Sequence, residues 1–210
     1  KMLPDQVGYI DPNTLAPGKA KEIETAAVNL QKQGAQKLVL DLRNCSVGDP
    51  NEGVAAANVF LSSGLITYLQ GQRMPRQNFE ANASKAASKL PLVVITNRGT
   101  AEGAEIVAAA LLDNKRAELV GEPTYGDASV RRAVTMDDGA AIILSVAKYY
   151  SPSGKAIQDT RVTPGTLMTE PDTQVEVDEN GEPLPENNEQ PQQKSQDDPL
   201  LKKAVELLKK

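Results

Sequence analysis

Two short stretches limit the folds open to this chain. Lys37-Leu-Val-Leu-Asp-Leu42 and Leu90-Pro-Leu-Val-Val-Ile-Thr96 are apolar almost throughout and too short for surface helices. That is the pattern of strands buried on both faces, in a sheet covered by helices. Between and around them the spacing turns helical. Ala20, Ile23, Ala26, Ala27 and Leu30 predict a helix over 19–33, with Gly34 as its stop. Val54, Ala55, Ala57, Asn58 and Leu61 predict another over about 52–62, leading into a strand at Leu65-Ile-Thr-Tyr-Leu69. Residues 71–89 are polar and mixed and read as a loop or irregular segment. Ala101–Leu112 is a strongly apolar helix, and Ala117-Glu-Leu-Val-Gly121 is a fourth strand. Strands alternating with helices at these lengths predict βα units and a mainly parallel sheet.

After residue 128 the period changes. Val130–Val134 and Ala141–Tyr149 flank Asp137-Asp-Gly139 and read as an antiparallel hairpin added to the layered core. Residues 170–198 hold ten acids against one base, four prolines and several Asn and Gln. Such a stretch buries too little apolar surface to order itself and reads as a linker or excursion, with Val175 and Val177 spaced like a short edge strand. Asp198-Pro199 is expected start chemistry for a terminal helix whose apolar side is Leu200, Leu201, Ala204, Val205, Leu207 and Leu208. The expected division is a core over 1–169, the acidic stretch over 170–198 and the helix over 199–210.

Composition then removes whole classes of chemistry. The 210 residues include no histidine, which excludes Ser-His-Asp and Cys-His hydrolysis and His-ligated metals. One cysteine, Cys45, excludes an internal disulfide and a multi-cysteine zinc site. Net charge is −5, but the acidic stretch and the Lys-rich last residues account for its extremes, and the rest is near neutral. With only 3% aromatic residues there is neither a basic stripe nor a stacking platform for nucleic acid. No run approaches the ~20 apolar residues of a membrane span, and no basic start with an apolar run marks an export signal in this chain.

Five motifs occur in order: Gly8-Tyr-Ile10; Leu40-Asp-Leu-Arg-Asn44; Gly99-Thr-Ala-x-x-x-Glu-Ile106; Val120-Gly-Glu-Pro-Thr-Tyr-Gly126; and Lys148-Tyr-Tyr-Ser-Pro-Ser-Gly-Lys-Ala-Ile-Gln158. Together they resemble the carboxyl-terminal processing, or tail-specific, proteases, which are serine-lysine peptidases with a Clp-protease/crotonase-like α/β fold. The resemblance implies a layered βα core with an added antiparallel hairpin and a C-terminal helix. It needs no cofactor or metal. It implies a polypeptide or protein C-terminal segment as partner and an extracytoplasmic setting (periplasmic, secreted or lumenal). A peptide-binding PDZ domain usually precedes such a core; none is visible here.

The same resemblance places the catalytic residues. Counting from Gly99 and Glu105, the nucleophile position is Glu102, and the lysine position lies in Tyr125-Gly-Asp-Ala128, at Asp127. A lysine serves as base when burial lowers its pKa; neither the hydroxyl nor the amine is present at these positions. The oxyanion loop reads Asn44-Cys-Ser-Val-Gly48, with Val47 in place of its first glycine, so Val47, Gly48 and Gly103 mark the oxyanion positions. Glu105 and Asp113 match acidic positions that support the dyad. Thr100, Ser129, Ser46 and Cys45 are the nearby side chains that could replace the nucleophile, and none has a lysine or histidine beside it in sequence.

Glu102 is expected in the first turn of the 101–112 helix, capped by Thr100 or Gly99. There unpaired N–H groups and the helix dipole favour a carboxylate by roughly 0.3–1 kcal/mol. Its carboxylate is either a simple first-turn acid or the occupant of the place where an oxyanion would be bound. If the fold is kept, Glu102 and Asp127 face each other, and Arg131 or Arg98 is expected to compensate their charge, ahead of a bound cation and then of carboxylate general acid/base chemistry. The chain thus reads as a protease homologue without its dyad, retaining peptide binding or an assembly role. The alternative is an active endopeptidase or other hydrolase using rearranged residues.

Overall fold

The computed structural model describes residues 1–169 and 198–209. Apart from Asp198, the acidic stretch lies outside the described residues, including the strand expected at Val175 and Val177. In chain order the elements are β1 (Met2–Leu3), β2 (Val7–Ile10), α1 (Lys19–Lys32), β3 (Lys37–Asp41), α2 (Pro50–Asn58), β4 (Leu65–Gly71), β5 (Met74–Glu80), β6 (Leu92–Thr96), α3 (Gly103–Asp113), β7 (Glu118–Gly121), β8 (Ser129–Thr135), β9 (Ala141–Tyr150), α4 (Ile157–Thr160), β10 (Thr166–Leu167) and α5 (Pro199–Leu207).

Six strands form one sheet in the order β1-β2-β3-β6-β7-β10, parallel throughout except for the β1–β2 pair. The continuous apolar runs are explained by its two covered faces. Leu38, Leu40, Leu92, Val94 and Leu119 face a core completed by Ile23, Ala27 and Leu30 of α1 and Ile106, Val107 and Leu111 of α3. Their neighbours Val39, Val93, Ile95 and Val120 point the other way, onto Leu200, Ala204 and Leu207 of α5. A fully buried Leu, Ile or Val is worth about 1.5–3 kcal/mol, so α5 is part of the fold. Asp198 caps it, accepting from the N–H groups of Leu200 and Leu201 at 3.0 Å, and Pro199 is its first residue.

The second sheet, β5-β4-β9-β8, is antiparallel and corrects two expectations. The strand at Leu65–Leu69 does not join the parallel sheet, because only Gln72 and Arg73 separate β4 from β5 and so tight a turn forces antiparallel pairing. The segment expected to be irregular contains β5, an edge strand whose side chains are mostly exposed. With one face in water, it has no apolar alternation to read. The hairpin β8–β9 matches expectation: Gly139 takes φ +85° in its turn, and the Met136 N–H donates to the Ala140 carbonyl at 2.7 Å.

Helix bounds also shift. The second helix starts earlier than expected, at Pro50, where the Asp49 carboxylate accepts the Asn51 N–H at 2.7 Å, and it ends at Asn58. It crosses the start of α3 so closely that a Cβ on Gly53 would lie 2.3 Å from the Gly103 carbonyl oxygen. This glycine-on-glycine crossing brings the Asn44–Gly48 loop, which leads into α2, against the first turn of α3.

Candidate active site

The turn between β6 and α3 is locked to the loop after β3 by amide side chains. Asn97 Oδ1 accepts the N–H of Asn44 at 3.0 Å and of Gly99 at 2.9 Å, while Asn97 Nδ2 donates to Asn44 Oδ1 at 3.0 Å. The buried Thr100 hydroxyl accepts the Asn97 N–H and donates to the Leu42 carbonyl at 2.8 Å. Thr100 is thereby engaged on both sides as a structural pin.

Glu102 is not in the first turn. The helix begins at Gly103, so Glu102 stands just outside it as N-cap, with φ 51° and ψ −119°. A non-glycine residue there costs of order 1–3 kcal/mol and persists only where surrounding contacts impose it. It is also how a sharp strand-to-helix turn presents a nucleophile to a cleft. The imposed contacts are visible: the Ala101 N–H donates to the Cys45 carbonyl at 3.0 Å, and the Glu102 N–H donates to Glu105 Oε2 at 3.2 Å.

Across from it, the Asn44–Gly48 loop is held by Leu15, whose N–H donates to the Val47 carbonyl and whose carbonyl accepts the Asp49 N–H, both at 2.9 Å. That leaves the Gly48 N–H for a different partner. It donates to Glu102 Oε2 at 3.0 Å. Gly48 lies beside Gly103 as well, since a Cβ there would be 3.5 Å from the Gly103 nitrogen and 2.9 Å from the Leu15 Cβ. The Glu102 carboxylate thus rests against the Asn44–Gly48 loop.

Glu105 is fully buried and organises the floor. Its carboxylate accepts the Thr124 hydroxyl at 2.5 Å, the N–H groups of Gly126 and Asp127 at 2.7 Å each, and the Glu102 N–H. Burial raises its pKa above the ordinary value, and the Thr124, Asp127, Gly126 and Glu102 donors pull against that rise. One carboxylate therefore binds the backbone of both Glu102 and Asp127. Thr124, which sequence reasoning passed over, is an essential part of this arrangement; its place inside the Val120–Gly126 motif was the available signal.

The expectation about compensating arginines divides. Asp127 forms an ion pair with Arg131, four residues on in β8. Arg98 instead reaches Glu122, Nε to Oε2 3.6 Å, from a largely exposed side chain, so it compensates neither Glu102 nor Asp127. The reason is local: the turn locked by Asn97 carries Arg98 outward. Asp113, at the end of α3, accepts the Ser153 N–H at 2.9 Å and ties that helix to the Ser151–Gly154 turn. Cys45 is buried, and burial together with the Asp11 charge pushes its thiol up to about 12, the reverse of an activated nucleophile. Ser129 bonds Ser145 and not a base; Lys148, in the facing strand, pairs with Asp159 at 2.6 Å.

Two apolar side chains stand exposed at the rim, Val47 at 61% and Tyr125 at 60%. Among the described residues no group of three or more His, Cys, Asp or Glu side chains is placed to hold a metal ion. Chemically the site offers an anion seat already filled by the chain's own carboxylate, a second carboxylate in an ion pair and an apolar rim. Glu102 brings no hydroxyl to this site and Asp127 no amine.

Comparison with known proteins gives a consistent account. The model of Peptidase family S41 matches residues 6–168. The carboxyl-terminal-processing protease of Synechocystis sp. is 38% identical over 165 residues, 79% of this chain and 38% of that protein. Carboxyl-terminal-processing peptidase 2, chloroplastic, of Arabidopsis thaliana is 36% identical over 160 residues, 76% of this chain and 31% of that protein. Among solved structures, a photosystem II D1 C-terminal processing protease superposes with a TM-score of 0.70 at 31% identity, covering 86% of this chain and 47% of that one. The chain spans about a third of the length of these two sequence relatives.

Proposed function

Since the chain belongs to Peptidase family S41, the carboxyl-terminal-processing proteases, we propose that it is a protease-like core that holds polypeptide tails without cutting them. The observation that carries this reading is the Glu102 carboxylate resting on the Gly48 N–H, in the turn that would present a nucleophile. A carboxylate has no proton to lose to a base at neutral pH, and as a nucleophile it would first have to leave its donor. Asp127 at the base position is an anion paired with Arg131, so it neither resembles nor replaces a neutral amine. The framework that supported a dyad is intact: Glu105 holds both positions, and the Gly53–Gly103 crossing holds the loop.

Tail binding draws on the rim and the sheet edges, because extended peptides add to exposed strands through main-chain hydrogen bonds. The proposal includes an extracytoplasmic setting and a C-terminal protein segment, alone or presented by a PDZ domain, as partner. No helix of the described residues is long and apolar enough to cross a membrane.

Incubation with an unfolded protein and with tail peptides tests the reading, comparing the wild type with Glu102→Ala. Peptide binding without turnover in both is expected. Turnover that disappears in Glu102→Ala would overturn the proposal in favour of a working hydrolase. The complementary test restores Glu102→Ser, Asp127→Lys and Val47→Gly together, since nucleophile, base and oxyanion donors act as a unit; cleavage gained only by the triple variant supports the reading.

A further inference from the structure

The antiparallel sheet leaves a slot between its two hairpins. Strand β9 runs from Ala141 to Tyr150, yet its pairing with β4 covers only Lys148–Tyr150. From Ala141 to Ser145 it pairs with β8 alone, so its other edge carries unpaired main-chain donors and acceptors. At Val146 the ladder slips, because Val130 pairs with Ala147 and Arg131 with Ser145. Such a bulge bends the strand and increases its twist. Between the bent hairpin and the β4–β5 turn lies a groove of about 750 Å3.

The lining of that groove specifies an occupant. Arg132 and Leu144 line it as a cross-strand pair, and beyond it the same face of the hairpin continues through the pair Val134 and Ile142; Val134, Ile142 and Leu144 are each about half exposed. Met74 and Tyr150 add apolar surface from the other side, and no acidic side chain lines the groove. Of its three cations, Lys148 is paired with Asp159, while Arg73 and Arg132 form no ion pair among the described residues. An open strand edge calls for an extended main chain. An apolar face beneath it calls for apolar side chains at alternate positions, and two free guanidinium groups call for carboxylates.

We propose that this slot binds an extended polypeptide of alternating acidic and apolar residues by strand addition to the open edge of β9. This rests on the reading that the chain holds polypeptide, and it places the contact on a surface distinct from the Glu102 turn. Loss at one surface is therefore separable from loss at the other.

The test is fluorescence anisotropy of the full chain with a labelled eight-residue peptide alternating Glu and Val, beside its Lys-Val counterpart. The acidic peptide is expected to bind at least tenfold more tightly than the basic one. Arg73→Glu with Arg132→Glu should weaken it at least tenfold, and N-methylation of alternate peptide nitrogens on one edge should abolish it. Both arginines are exposed, so their replacement leaves folding intact, with an unchanged thermal midpoint as the check. Equal binding of the two peptides, or indifference to charge reversal, would overturn the proposal. So would binding that appears only after residues 170–197 are replaced by a neutral linker, which would make the chain's own acidic stretch the occupant. A dimer dispersed by Arg132→Glu would assign the slot to a second copy and overturn it too. Tail peptides that bind while the acidic probe does not would spare the proposed function and defeat this inference alone.

Discussion

The Gly48 N–H donates to the Glu102 carboxylate at 3.0 Å, so a side chain from the turn before α3 ties that turn to the Asn44–Gly48 loop. The two residues are fixed to each other from both ends. Leu15 holds the loop on one side, and the buried Glu105 carboxylate holds the Glu102 backbone on the other.

The backbone of Glu102 yields the first prediction. Its positive φ favours glycine, while its carboxylate bond is lost in any shorter side chain. Glu102→Ala keeps the strain and loses the bond; Glu102→Gly loses both. Glu102→Gly should be the more stable variant by about 1 kcal/mol, measured by urea denaturation of the pair. Equal stability would mean that the turn relaxes.

Glu105 predicts a pH dependence with a definite sign. Burial raises its folded pKa above the ordinary value of 4.5, so the folded state holds its proton to higher pH than the unfolded state does. The contribution is present at low pH and declines as pH rises from about 4.5 through the raised folded pKa. Glu105→Gln cannot titrate and sets an amide NH2 against two of the four donors, costing about 1–3 kcal/mol. The gap in unfolding free energy between wild type and Glu105→Gln should therefore narrow as pH rises across that window.

Arg43 predicts the weight of the terminal helix. Its guanidinium is buried between Asp41 and Asp198, at 2.6 Å from each, and Tyr9 donates its hydroxyl to Asp41 at 2.6 Å. Asp198→Ala removes one buried partner and the cap of α5 together. A loss of about 3 kcal/mol is expected, and Asp198→Asn, which can still cap, should lose less. Hydrogen exchange along α5 reads out the difference.

The helix crossing predicts a severe variant. Gly53→Ala places a methyl 2.3 Å from the Gly103 carbonyl oxygen, and backbone cannot move aside as a flexible side chain can. Destabilisation of about 1–3 kcal/mol or more is expected, with peptide binding falling because loop and turn part. Arg131→Ala, at a half-exposed ion pair, should change stability by less than about 1 kcal/mol. A loss as large as that of Gly53→Ala would show the pair to be structural.

What could be read from the chain, and what could not, follows from physics. The strands around Val39 and Val94 were legible because burial on both faces demands apolar residues at every position. Asp198-Pro199 was legible because capping chemistry is local. Strand β5 was not, since a solvated edge strand is specified by its partner and not by its own alternation. Nor was the start of α3: nothing in a glutamate signals a positive φ, which the Asn97 and Glu105 bonds impose from elsewhere. The pairing of Asp127 with Arg131 was visible in strand spacing, while the outward turn of Arg98 depended on amide contacts between segments more than fifty residues apart.

Helix α5 is the one helix among the described residues packed on the Val39 side of the parallel sheet, and its first charged group reaches through to a buried cation. Trimming the chain ahead of Asp198 would therefore do more than shorten it. The shortened protein would bare a greasy wall of valines and isoleucine to water, sticky toward its own copies, and its yield in soluble form should collapse.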